Sequence, residues 1–217
     1  MKNEKQVSES IKLGVLLSLS GGFMDAYSYI ERGKVFANAQ TGNMLLLGVN
    51  IAEGHYSLII HYLFPILAFV IGIALSEWIH IKQKRLHWRQ IAVLIEAMIL
   101  MSVAFIPYHM NLLANSLTSL ACGIQVESFR KINGHSVATT MCIGNLRSGT
   151  ENMCLFFQTG NIQYLKKVVL YFGIIICFVC GAVLGNLFIH LWHQKAILCC
   201  SFLLLLTFIM MFFNKSE

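Results

Sequence analysis

The sequence predicts an all-α membrane protein: six transmembrane helices in two inverted three-helix repeats, each with an interrupted or re-entrant segment after its first helix. Three observations carry that prediction. The 217 residues are 57% hydrophobic and only 12% charged, about half the roughly 25% charge of soluble domains. The apolar residues fall in runs near the length of a bilayer span, which needs about 20 mostly apolar residues. The two halves also match at an offset of 102 residues, pairing Gly21 with Gly123, Asp25 with Glu127, Gly42 with Gly144 and Asn43 with Asn145.

The spans follow in order. Residues 12–30 form the first. Asp25 and the lack of a small-residue cleavage site mark it as a retained helix rather than a signal peptide. Residues 35–52 are only moderately apolar and rich in Gly, Asn and Thr. Residues 58–79 and 91–110 complete a first repeat over 12–110. The second repeat, 112–213, has spans at 112–130, 168–189 and 196–213, with a second polar stretch at 136–158. Together they make one membrane domain, 1–217.

Basic residues orient the spans. Lys2, Lys5 and Lys12 mark a cytoplasmic N-terminus, and Lys82, Lys84, Arg85 and Arg89 mark a cytoplasmic loop. An even number of crossings must separate them, so 35–52 cannot cross. With that topology 13 of the 16 basic residues are cytoplasmic. Only Arg32, Lys34 and Lys195 lie outside. Three crossings per half is an odd number, so the second half is upside down relative to the first, as in many secondary transporters. The polar segments then enter from opposite faces and can meet near the midplane. Irregular backbone is tolerated at that depth only when buried in protein or lining water.

Candidate site residues gather in these segments. Asp25 lies well inside the first span, where a carboxylate needs protein or water around it. It reads either as a cation, proton or substrate site or as the partner of a helix end. Thr41, Gly42 and Asn43 precede the apolar run Met44–Val49 and read as the start of a half-helix. Its free N–H groups would attract a polar or anionic ligand; the alternative is a capped interfacial helix. Gly144 and Asn145 repeat the pair, with Ile143 in place of the threonine and Thr139 and Thr140 upstream. Asn38 and Gln125 could line a site or bond between helices. Glu127 could serve as a second acidic site or pair with Arg130 or Lys131. Glu77 and Glu96 flank the basic loop and read mainly as structural, Glu96 being the deeper.

Other chemistries find little support. The net charge of +6 follows topology, so nucleic acid is excluded as a partner. The seven cysteines, including the Cys177–Cys180 pair, sit in apolar runs and read as packing residues. The histidines lack metal-ligand spacing, and no cofactor or metal is expected. The partners expected are the lipid bilayer and an unidentified small molecule or ion. A homodimer is possible through Gly181 and Gly185, although packing within the chain suits them better. The organisation points to a small secondary transporter or permease rather than an enzyme. The alternatives are a membrane enzyme acting on a lipid-like substrate and an assembly protein without a substrate.

The stretch Gly22-Phe23-Met24-Asp25-Ala26-Tyr27-Ser28-Tyr29, followed by Val35-Phe36-Ala37-Asn38-Ala39-Gln40-Thr41-Gly42-Asn43, resembles the YoaK family of small bacterial integral membrane proteins, a family of unknown function. Gly123-Ile124-Gln125 with Thr139-Thr140 and Gly144-Asn145 looks like its weaker second motif, from which Glu127 and Ile143 depart. The resemblance covers nearly the whole chain. It implies a multi-pass protein of the bacterial inner membrane and supplies no substrate.

Overall fold

The computed structural model describes residues 10–82 and 88–213. Lys2, Lys5, Lys84, Arg85 and Lys215, which enter the charge argument, lie outside the described residues. Among the described residues the fold is all-α apart from one small hairpin. Its helices are α1 (Ile11–Glu31), α2 (Gln40–Glu53), α3 (Tyr56–Lys82), α4 (Trp88–Val103), α5 (Asn111–Ser128), α6 (Cys142–Thr159), α7 (Ile162–Trp192) and α8 (Leu198–Phe213).

Local chemistry sets several boundaries. Ser10 caps α1 by accepting from the Leu13 N–H. The two short helices of the polar segments, α2 and α6, end alike at Gly54 (φ 73°) and Gly160 (φ 64°), left-handed positions that glycine takes at little steric cost. The polar segments are therefore each an extended stretch followed by a helix, with α2 starting at Gln40 and α6 at Cys142. The second stretch also holds a hairpin absent from the sequence reading. Lys131–Ile132 pairs with His135–Ser136 through Asn133-Gly134, where both φ angles are positive at 51° and 78°. Asn-Gly is the residue pair such a tight turn favours.

The halves exchange partners. The first helix of each packs along the third of the other: α1 on α7 and α5 on α3. Each short helix stays at home, α2 on α3 and α6 on α7. The last helices, α4 and α8, meet each other, and each also touches the first helix of the other half. Glycine permits the two main crossings. A Cβ on Gly22 would run into the Phe178 carbonyl of α7, and one on Gly123 into the Phe69 carbonyl of α3. Gly181 and Gly185 lie against Leu19, Phe23 and Ala26 of α1, so this small-residue stripe is used inside the chain.

Polarity runs inside out. Ser18, Ser20, Ser28, Asn115, Thr118, Ser119 and Gln125 of α1 and α5 are buried, whereas Val70, Ile71, Val179, Leu187 and Phe202 of α3, α7 and α8 are exposed. That is the distribution a bilayer selects. Among the described residues, two helical stretches are long and apolar enough to cross a membrane by length and composition, Tyr56–Lys82 and Ile162–Phe212. The second comprises α7, a 3-10 turn and α8. The other helices fall short of that measure for a physical reason. α1 and α5 carry internal polar faces, and α4, with Glu96 at its middle, has 16 residues.

Candidate functional site

The two polar segments have the same internal lock. The Asn43 side chain accepts from the Phe36 N–H at 3.0 Å and donates to the Phe36 carbonyl at 2.7 Å. Asn145 does the same to Ala138, at 3.2 and 2.6 Å. In each case the partner is seven residues upstream. A further donation goes to Gln40 Oε1 from Asn43 and to the Met141 carbonyl from Asn145. An amide is suited to this task because it offers donors and an acceptor in one plane. The Gly-Asn repeat is thus a fastener that folds each extended stretch back onto the first turn of its helix. Both amides are buried and engaged, so they hold the loops in shape rather than presenting a free group.

The neighbouring residues divide. Thr41 and Gly144 are exposed. Gly42 lies under the Phe36 ring, which a Cβ would approach to 2.7 Å, whereas Gly144 faces open space.

Asp25 projects from α1 onto the first loop. Its Oδ1 accepts from the Asn38 N–H at 2.7 Å, and the N–H groups of Ala37 and Ala39 also face it. Three consecutive amides at the start of α2 therefore converge on one carboxylate, which neutralises part of its charge and complements the positive end of the helix. The anion at this helix start is the chain's own Asp25. Of the two sequence readings for Asp25, the partner of a helix end describes these contacts. The second half does not repeat the arrangement. Glu127 pairs with Arg130, which also reaches Glu77 Oε2 at 3.3 Å, and so lies away from the start of α6.

Both loops meet α1. Asn38 donates its amide to the Gly21 carbonyl at 2.9 Å. Gln125 of α5 donates to the Leu17 carbonyl at 3.0 Å and to Thr139 Oγ1 at 3.1 Å. Gly21 lies against Thr139 and Thr140, with room for a Cβ only 3.0 Å from the Thr139 carbonyl. Residues 17–25 of α1, the 37–39 and 139–140 segments and Gln125 thus form one polar junction. Among the described residues, Asn38 Oδ1, Gln125 Oε1 and Thr140 Oγ1 are buried there without a hydrogen-bond partner. Such oxygens cost about 1–3 kcal/mol each when left unpaired, so the junction holds unused hydrogen-bonding capacity. The junction brings together Asp25, Asn38 and Gln125. Asn43 and Asn145 brace it from behind, and Glu127, Thr41 and Gly144 stand apart.

Two buried charged groups were not assigned to the site from sequence. Arg32 was counted as an outer loop charge, but its side chain is fully buried. It donates to Tyr27 Oη at 2.8 Å, Asn111 Oδ1 at 3.1 Å and the Val103 carbonyl at 3.1 Å, and Asn115 donates to its carbonyl at 2.7 Å. Tyr27 in turn donates to the Gln194 carbonyl at 2.9 Å. One guanidinium therefore ties the end of α1 to α4, α5 and the 193–197 turn. A basic residue next to a glycine turn carries no sequence signal for this. Glu96 is the other such group, buried in the middle of α4. Among the described residues no group of three or more His, Cys, Asp or Glu could hold a metal ion, and the cysteines are unbridged. A groove of about 750 Å³ beside α7, lined by Ile11, Val15, His135, Lys166 and Cys177 among others, lies apart from the junction.

Comparisons with known proteins place the chain among membrane proteins. The transmembrane protein YoaK of Bacillus subtilis (strain 168) is 28% identical over 181 residues, which cover 78% of this chain and 79% of that protein. No solved structure matches. Residues 13–210 match the family model described as protein of unknown function, DUF1275. That span takes in the whole polar junction, and the chain belongs to this family of membrane proteins.

Proposed function

We propose that the chain is a small secondary transporter or permease, with its polar site at the junction of α1 with the 37–39 and 139–140 segments. The observation that carries this reading is the convergence of both loops, one from each half, on the same stretch of α1 beside unpaired buried oxygens. In this reading α1, α3, α4, α5, α7 and α8 cross the bilayer, while α2 and α6 are the interrupted segments of two inverted repeats. The exchange of partners between halves supports it, because rocking one half against the other would open the junction first to one side and then to the other. The charge asymmetry of the sequence orients both termini to the cytoplasm.

The groups at the junction are mainly acceptors: the unpaired Asn38 Oδ1 and Gln125 Oε1 and the amide-bound Asp25 carboxylate. Thr140 adds a hydroxyl. They suit a small solute rich in hydrogen-bond donors, such as an amine or a polyol. A solute that engages Asp25 competes with the 37–39 amides and loosens the start of α2, which couples binding to movement.

The test is uptake by purified protein in sealed liposomes, across a panel of radiolabelled amines, amino acids and polyols. Wild-type protein should accumulate at least one class above protein-free liposomes, and Asp25→Asn should lower that uptake by about tenfold, the equivalent of one strong interaction of about 1.4 kcal/mol. Uptake untouched by Asp25→Asn removes Asp25 from the site. Failure to move any of the panel counts against transport of this solute class.

A further inference from the structure

Glu96 is the most deeply placed acid in the described bundle. It is the ninth of 16 residues in α4, its side chain has no exposed surface, and neither carboxyl oxygen has a hydrogen-bond partner among the described residues. Among the described residues it forms no ion pair with a basic side chain. The helices packed on α4 bring it Cys122 from α5 and Cys200 from α8 as ionisable neighbours. α3 carries its ionisable groups toward its two ends, Tyr56, His61 and Tyr62 at one and Glu77, His80 and Lys82 at the other. His193 and Lys195 of the 193–197 turn are exposed. An unpaired carboxylate in such a place would cost many kcal/mol, whereas the neutral acid costs far less.

Neighbouring helices carry further buried polar groups. Ser20 Oγ, Ser119 Oγ and Ser201 Oγ are also buried without partners. Ser119 is one helical turn from Cys122, and Ser201 adjoins Cys200. The Cys200 thiol contacts the Ser20 carbonyl of α1 at 3.8 Å. Cys122 lies within electrostatic reach of both Glu96 and Asp25. Cys122 is thus the one thiol near both carboxyl groups among the described residues, and Cys200 lies near Glu96. Each hydroxyl can both accept and donate a proton-bearing bond.

We infer that Glu96 is a proton-binding site: its carboxyl holds a proton in this arrangement and exchanges it when the bundle moves. Intramembrane carboxyl groups without a cationic partner are used in this way as proton relays. Joined to the transport reading above, on which only this last step rests, the site makes the proton the coupling ion. Uptake of the proton neutralises Glu96 and allows α4 and α8 to close around it. Release requires that Glu96 gain water or a partner.

The experiment is infrared spectroscopy of the full-length protein in liposomes, which needs no substrate. Wild-type protein should show a protonated-carboxyl C=O band at neutral pH that shifts on transfer to D2O and fades as the pH is raised. Glu96→Gln should remove that band and Asp25→Asn should leave it, so this inference and the transport role of Asp25 fail separately. Should Glu96→Gln not fold, Glu96→Asp keeps the carboxyl and should shift the band. A spectrum unchanged by substitution at Glu96, or a Glu96 band that ignores D2O and pH, overturns the proposal.

Discussion

Replacing Asn43 or Asn145 by alanine tests the paired fasteners. Each side chain makes three hydrogen bonds, two to the backbone of a residue seven positions upstream and one to the first turn of its helix. At about 1 kcal/mol net per bond, each alanine variant should lose about 3 kcal/mol. The two losses should be alike, although the residues sit in different halves with different neighbours. For a chain of this size that corresponds to a fall of about 6–12 °C in melting temperature. Asn→Asp sharpens the test at both positions. A carboxylate can still accept from the Phe36 or Ala138 N–H but turns an acceptor toward the carbonyl that the amide had satisfied. Both aspartate variants should therefore be at least as unstable as the alanine ones near neutral pH. The assay is thermal unfolding in detergent micelles, followed by helical circular dichroism. Aspartate variants that melt with the wild type, or a large loss at one position and none at the other, would refute the shared role.

Two further predictions concern the helix crossings and the buried guanidinium. Gly22→Ala and Gly123→Ala should each cost about 1–3 kcal/mol by forcing α1 from α7 or α5 from α3, whereas Gly48→Ala and Gly173→Ala, which meet nothing within 4 Å, should be neutral or stabilising by up to about 1 kcal/mol; parallel melting curves check this. Arg32→Lys should lower stability by about 3 kcal/mol, because an ammonium cannot replace a fork bonded through all three nitrogens and a buried cation is left under-satisfied. A melt equal to that of the wild type would show that the guanidinium contacts carry little weight.

Much of the fold was legible because hydrophobic runs and turn chemistry are local properties. Most helices begin and end within a few residues of the apolar segments, but α4 stops at Val103, seven residues short of the end of 91–110, and α7 starts at Ile162, six residues ahead of 168; the short pieces at 35–52 and 136–158 are recognisable as polar interruptions. The offset of 102 residues found Asn43 and Asn145 as a pair. It did not find what they do, since their partners Phe36 and Ala138 carry no polar side chain to signal a contact. The same offset matched Asp25 with Glu127, and there the structure separates the two. Asp25 reaches three amides ahead of α2, while Glu127 is held by Arg130 one turn away. Sequence equivalence preserves position along a helix, but the partner depends on what the facing segment offers.

Membrane residence and the all-α class are legible in the sequence, because transfer of side chains into lipid and helix periodicity act residue by residue. Which polar groups meet is set by long-range packing. The exchange of α1 onto α7 and α5 onto α3 lays the loop of each half against α1. It thereby gathers Asp25, Asn38, Gln125, Thr139 and Thr140 from positions far apart in the chain. Burial of Arg32 at one end of that packing and of Glu96 at its middle likewise follows from long-range contacts. Their desolvation is a property of the assembled bundle, and no local pattern of residues encodes it.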